Sequence, residues 1–192
     1  MPAVDRWVVD HTLADCHLLQ KKDGTLASFA INLSGQSLCE QSFLSYVVER
    51  IQSSGIPPSK ICFEITGTAV MANLNIAIHF ISVLREMGVR FSLDDFGSGL
   101  SSFAYLKKLS VDFLKIDGAF VREMANDRID YAMVSSINQI GQLMGIQTIA
   151  EFVENDAILE KLKELKVDFA QGYGIGLPRP LRQVNMKQQK VG

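Results

Sequence analysis

Cysteine is scarce. Cys16, Cys39 and Cys62 are odd in number, far apart and without a Cys-x-x-Cys pair, which argues against a disulfide framework or a cysteine zinc site and fits a reducing cytoplasm. Long apolar runs are missing too: nothing approaches the ~20 residues of a membrane span, and no basic start precedes a hydrophobic signal core. No membrane contact by this chain is therefore expected, although an anchor elsewhere in a longer protein is compatible with it. Basic charge is not in excess. A net charge of -2 offers no field for a DNA or RNA polymer. Low-complexity linkers are absent. What remains is 192 residues with 47% apolar side chains, enough to bury a substantial core in one domain. The expectation is a single domain over residues 1–192 with a flexible tail over 182–192.

Six segments alternate large apolar with small or polar residues at period two and stop at turn chemistry. They predict strands over Phe29 to Ser34, Ile61 to Thr66, Val89 to Asp95, Phe113 to Asp117, Ile146 to Glu151 and Val167 to Gln171. Between them Phe43, Leu44, Val47, Val48 and Ile51 recur on one helical face, as do Ile129, Met133, Ile137 and Ile140. Gly55, Gly88 and Gly145 stand where helix C-caps belong. Strand alternating with helix predicts an α/β chain with a parallel sheet. Phe29, Ile31 and Leu33 oppose Ala30 and Asn32; Ile61, Phe63 and Ile65 oppose Cys62 and Glu64; Phe91 and Leu93 oppose Ser92 and Asp94. Each strand is thus expected to turn a bulky face to covering helices and a narrow face, small then polar, to the other side. That is the pattern of a TIM-type (β/α) barrel with its functional groups at the C-terminal mouth. A doubly wound sheet ranks second, because its strands are usually apolar on both faces.

The polar residues so placed are Asn32, Glu64, Asp94, Asp95, Lys115 and Glu151. The steps from Asn32 to Glu64, Asp94, Lys115 and Glu151 are 32, 30, 21 and 36 residues, each one strand-helix unit. Asp94 and Asp95 are adjacent at a strand end, before Phe96-Gly97-Ser98-Gly99. Two ionised carboxylates that close repel each other and resist desolvation unless a cation, hydrogen bonds or solvent compensate. Hard divalent cations such as Mg2+ or Mn2+ favour such oxygen ligands. Asp-Asp-x-Gly alone reads first as an acidic turn in water, and its neighbours must decide. Five strands that end in polar residues favour a metal-assisted active site over a solvated rim. Lys115 reads either as an interior ion pair with Asp94 or Asp117 or as a phosphate contact, and Asn32 either as a ligand or as a strand-end cap. His11, His17 and His79 fall outside these motifs, and Trp7 and the methionines read as packing.

These strings resemble one known family. Asn32-Leu33-Ser34, Glu64-Ile65-Thr66, Asp94-Asp95-Phe96-Gly97-Ser98-Gly99, Leu114-Lys115-Ile116-Asp117, Ala150-Glu151-Phe152-Val153-Glu154 and Gln171-Gly172-Tyr173 are similar, in the same order, to those of the EAL domain, a cyclic-di-GMP-specific phosphodiesterase. The resemblance covers nearly the whole chain. It implies a TIM-type barrel that begins here downstream of the hairpin carrying the Glu-Ala-Leu motif, so that about six of eight strands are present. The name-giving Glu and a following phosphate-binding Arg would then be missing. An incomplete barrel implies open edges prone to association or swapping, as a homodimer or otherwise.

By that resemblance two Mg2+ or Mn2+ ions serve hydrolysis of cyclic-di-GMP to linear pGpG. Asn32, Glu64 and Asp94 would hold the first ion; Asp94 would bridge to the second, held also by Asp95 and Glu151. Lys115 and Glu151 would be catalytic. Gln171, Asp117 and Glu154 would stand with the substrate, Glu154 leaning to a structural role. The setting implied is the cytoplasm, with regulatory domains in a longer protein. Two departures stand out: Gly67 replaces a Glu that anchors the Asp-Phe-Gly-x-Gly loop, and Phe152 stands where Gly is common. Both favour an alternative reading, a degenerate module that binds cyclic-di-GMP without turnover. An unrelated metal-dependent barrel lyase ranks third.

Overall fold

The computed structural model of the chain describes residues 1–16, 27–97 and 103–180. Ser98, Gly99, His17 and the tail expected over 182–192 lie outside the described residues. Six strands form one sheet: β1 (Phe29–Leu33), β2 (Ile61–Thr66), β3 (Arg90–Phe96), β4 (Phe113–Ile116), β5 (Gln147–Ala150) and β6 (Phe169–Ala170). All adjacent pairs are parallel and the order follows the chain without reversal. A doubly wound sheet would reverse at a switch point. Sequential order is that of a (β/α) barrel, with helices α1 (Pro2–Asp15), α2 (Gly35–Cys39), α3 (Gln41–Ser54), α4 (Gly67–Ala72), α5 (Leu74–Glu86), α6 (Phe103–Leu106), α7 (Gly118–Val121), α8 (Arg128–Met144) and α9 (Asp156–Glu164) between and around the strands. Among the described residues β1 and β6 each pair on one side only.

The core lies between the outer sheet face and the helices. Phe63, Phe91, Leu93, Leu114 and Ile116 are fully buried there, and each such side chain contributes about 1.5–3 kcal/mol by leaving water. Phe80 of α5 meets Phe91 edge-on at 6.3 Å and Phe43 of α3 in a stack at 6.2 Å. The α3 stripe is as the sequence predicts, with Phe43, Val47 and Ile51 buried. Gly55 and Gly145 close α3 and α8 in left-handed conformations, φ 70° and 71°, as the caps require.

Two expectations are corrected. On α8 the buried face is Val134, Ile137, Asn138 and Gly141, whereas Ile129 and Met133 are exposed. Asn138 carries buried hydrogen bonds that fix this rotation: its amide donates to Leu165 O at 2.7 Å and accepts from Thr148 Oγ1 at 2.5 Å. A polar anchor outweighs an apolar stripe when its bonds are made in the interior. The narrow inner face is not small in every strand either. Phe113 precedes Lys115 on β4, and Ile149 sits beside Lys115 on β5. Phe113 packs on Phe169 at 6.0 Å and under Arg90 at 5.8 Å, so aromatic bulk fills the floor beneath the polar mouth. Among the described residues no helix is long and apolar enough to cross a membrane.

Candidate active site

Strand ends deliver the side chains. Asn32 on β1 stands in register beside Glu64 on β2, and Thr66 beside Asp94 on β3. Lys115 on β4 reaches up among them and is 3% exposed. Its ammonium donates to Glu64 Oε2 at 3.0 Å, Asp94 Oδ1 at 3.0 Å and Glu151 Oε1 at 2.8 Å. Burial alone would lower the Lys115 pKa, but the hydrogen bond to Glu151 and the charges of Glu64 and Asp94 outweigh it and hold the group above the usual lysine range. Lys115 therefore stays charged. Of the two pairings the sequence left open, Asp94 is made and Asp117 is not.

Strict alternation would send Asp95 to the helix face, opposite Asp94. The structure avoids this. The β3–β4 register shifts between Leu93 and Phe96, and Asp95 takes a left-handed φ of 53°. Asp94, Asp95 and Glu151 then each place an oxygen within 4.8 Å of the others. A bulge that re-aims a side chain beside a site is an expected use of that irregularity. Burial, then the neighbouring charges of Asp94 and Asp117, raises the Asp95 carboxyl above its ordinary range. Burial also raises Glu151, against the hydrogen bond from Lys115. The donor set is all hard oxygen, and four carboxylates against one ammonium leave it net negative, which fits a divalent cation. Below it, burial and then the Glu64 charge push the Cys62 thiol up to about 12, so it is protonated filling rather than a ligand.

Asn32 is exposed on β1, beside Glu64 in the strand register. Its strand end is tethered from α1: buried Asp5 accepts hydrogen bonds from Ser34 N at 3.0 Å, Ser34 Oγ at 2.6 Å and Ser37 Oγ at 2.5 Å. Asp117 caps α7, accepting from Ala119 N at 2.8 Å. Gln171 and Glu154 line a cleft of about 430 Å³ beside the carboxylates, together with Glu151, Phe152, Arg122 and Tyr173.

Residues 1–178 match the EAL domain when the chain is compared with known families. The chain belongs to the EAL domain family. This EAL domain is 45% identical over 152 residues to the cyclic di-GMP phosphodiesterase PdeB of Shewanella oneidensis, covering 79% of this chain and 18% of that protein. It is 38% identical over 178 residues to the cyclic di-GMP phosphodiesterase PdeA of Borreliella burgdorferi, covering 93% and 26%. The chain thus spans between 18% and 26% of the length of these curated relatives. Among solved structures, the c-di-GMP complex of the PaMucR phosphodiesterase superposes with a TM-score of 0.86 at 32% identity, covering 93% of this chain and 72% of that one.

Sequence reasoning missed Arg122 in this EAL domain. Its guanidinium lies 4.1 Å over the Phe152 ring and its Nε is 3.9 Å from Glu154. A legible signal existed: Gly118 and Arg122 are four apart on one helical face, the glycine leaving space below the arginine. Phe152 fills that space. A Cβ at Gly118 would lie 2.0 Å from Phe152 Cδ2 and 2.6 Å from its Cγ. Gly118→Ala is accordingly expected to displace the ring and cost about 1–3 kcal/mol, read as a lower urea midpoint.

Proposed function

We propose that the EAL domain, acting as one unit over residues 1–192, hydrolyses cyclic-di-GMP to linear pGpG with two Mg2+ or Mn2+ ions. The observation that supports this reading is the convergence of Asp94, Asp95 and Glu151 oxygens within 4.8 Å around a mouth whose buried cation is Lys115. Asn32, Glu64 and Asp94 would hold one ion, and Asp94, Asp95 and Glu151 the other. When bound, such ions offset phosphate charge and lower the pKa of a water. The protein groups do the rest. Lys115 would offer its ammonium as a donor to the phosphodiester or the attacking water, held in place by Glu64, Asp94 and Glu151. Glu151, 2.8 Å from the Lys115 ammonium, would be the second catalytic group, turned toward the same water. Gln171 and Glu154 offer polar contacts along the adjoining cleft, and Asp117 fixes the start of α7 next to it.

The one-sided pairing of β1 and β6 among the described residues supports association through those edges, including as a homodimer. The scarcity and wide spacing of cysteine support a cytoplasmic setting. The greater length of the relatives supports regulatory segments beside the domain. The test is chromatography of pGpG formed from cyclic-di-GMP by the intact protein with Mn2+ and with EDTA. Turnover that EDTA abolishes is the expected result; binding without turnover in saturating Mn2+ overturns the catalytic reading in favour of a sensor.

A further inference from the structure

Two non-glycine residues at the acidic cluster have left-handed backbone, Asp95 within it and Phe152 next to Glu151, both at φ 53°. Asp95 has its explanation in the carboxylate geometry. Phe152 has none there, since its side chain carries no polar atom. A phenylalanine held in this conformation costs on the order of 1 kcal/mol and persists where surroundings over-determine it. The surroundings here are Gly118 on one side and Arg122 on the other. The ring is still 45% exposed, at the wall of the cleft that also holds Glu154 and Tyr173.

We propose that Phe152 is a positioning residue that seats the Arg122 guanidinium as a flat shelf for a purine base of the substrate. The inference rests on the cyclic dinucleotide reading above and adds the element that selects its base. A guanidinium plane backed by a phenyl ring offers a base a stacking surface that a lone flexible arginine does not. The cleft opens beside Glu151, so a base on this shelf lies next to a phosphate at the carboxylate cluster. Glu154, 3.9 Å from Arg122 Nε, both orients the guanidinium and presents an acceptor to N–H groups on a base edge. Phe152 thus turns a strained backbone into a recognition surface.

The test compares two phosphodiesters with the intact protein in Mn2+: cyclic-di-GMP, which carries purines, and bis(p-nitrophenyl) phosphate, which carries none. In Arg122→Lys the charge stays and the plane goes. In Phe152→Gly the backbone is relaxed, since glycine accepts φ 53°, and the backing ring goes. Both variants are expected to lower the ratio of kcat/KM for cyclic-di-GMP to that for bis(p-nitrophenyl) phosphate by about tenfold, mainly through KM, the order that base stacking implies. An unchanged ratio in Arg122→Lys, whether both substrates fall together or neither does, overturns the shelf. If the wild-type protein hydrolyses neither diester, catalysis fails but the shelf is still read from the cyclic-di-GMP dissociation constant, which the two variants must raise. A wild-type protein that does not bind the dinucleotide overturns both.

Discussion

Replacing Lys115 with methionine is expected to destabilise the domain by about 3–5 kcal/mol in EDTA, and Mn2+ is expected to restore much of that loss. The side chains involved are nearly buried: 4% exposed for Lys115, and 11%, 14% and 12% for Glu64, Asp94 and Glu151. Removing the ammonium leaves three carboxylates in poor solvent contact without their shared counter-charge, and breaking a buried pair from one side costs that order of energy. A divalent cation bound at one hundred times its Kd returns about 2.7 kcal/mol. Urea melts of Lys115→Met with EDTA and with Mn2+ check the claim. A loss that Mn2+ leaves untouched would mean that Lys115 serves packing alone.

Asp94→Asn is expected to behave in the opposite way, with kcat/KM for cyclic-di-GMP down about 10²- to 10³-fold and stability in EDTA within about 1 kcal/mol of the parent. Asp94 is the carboxylate that both touches Lys115 and belongs to the oxygen trio with Asp95 and Glu151. If Asp94 holds the ions as proposed, its loss would remove several kcal/mol of charge stabilisation for the transition state, at 1.36 kcal/mol per decade of rate. The fold loses little, because the amide keeps the shape, one charge repulsion disappears, and Lys115 retains Glu64 and Glu151. Paired rate and urea measurements separate the two effects. Large destabilisation with modest loss of rate would place Asp94 in the scaffold instead.

The contrast between these substitutions shows how much of the site is legible in the chain and where legibility stops. Glu64, Asp94, Lys115 and Glu151 each lie where an alternating run meets turn chemistry, so their gathering at one end of a parallel sheet follows from period two and strand-helix repetition. Ile129 and Met133 mark a limit of the same method. Their spacing matches a buried stripe, yet buried Asn138 sets the rotation of α8. A hydrogen-bond partner distant in sequence leaves no periodic trace.

The sequence by itself determined the strands, their order of use and the acidic residues at their ends, because alternation and turn chemistry are local and each strand is read on its own. Only the tertiary structure decided that Lys115 bonds Glu64, Asp94 and Glu151 rather than Asp117, that a register shift swings Asp95 to the same side as Asp94, and that Arg122 lies on Phe152. Those outcomes depend on how neighbouring strands and helices meet. Distances between side chains on different elements are set by packing, not by spacing along the chain.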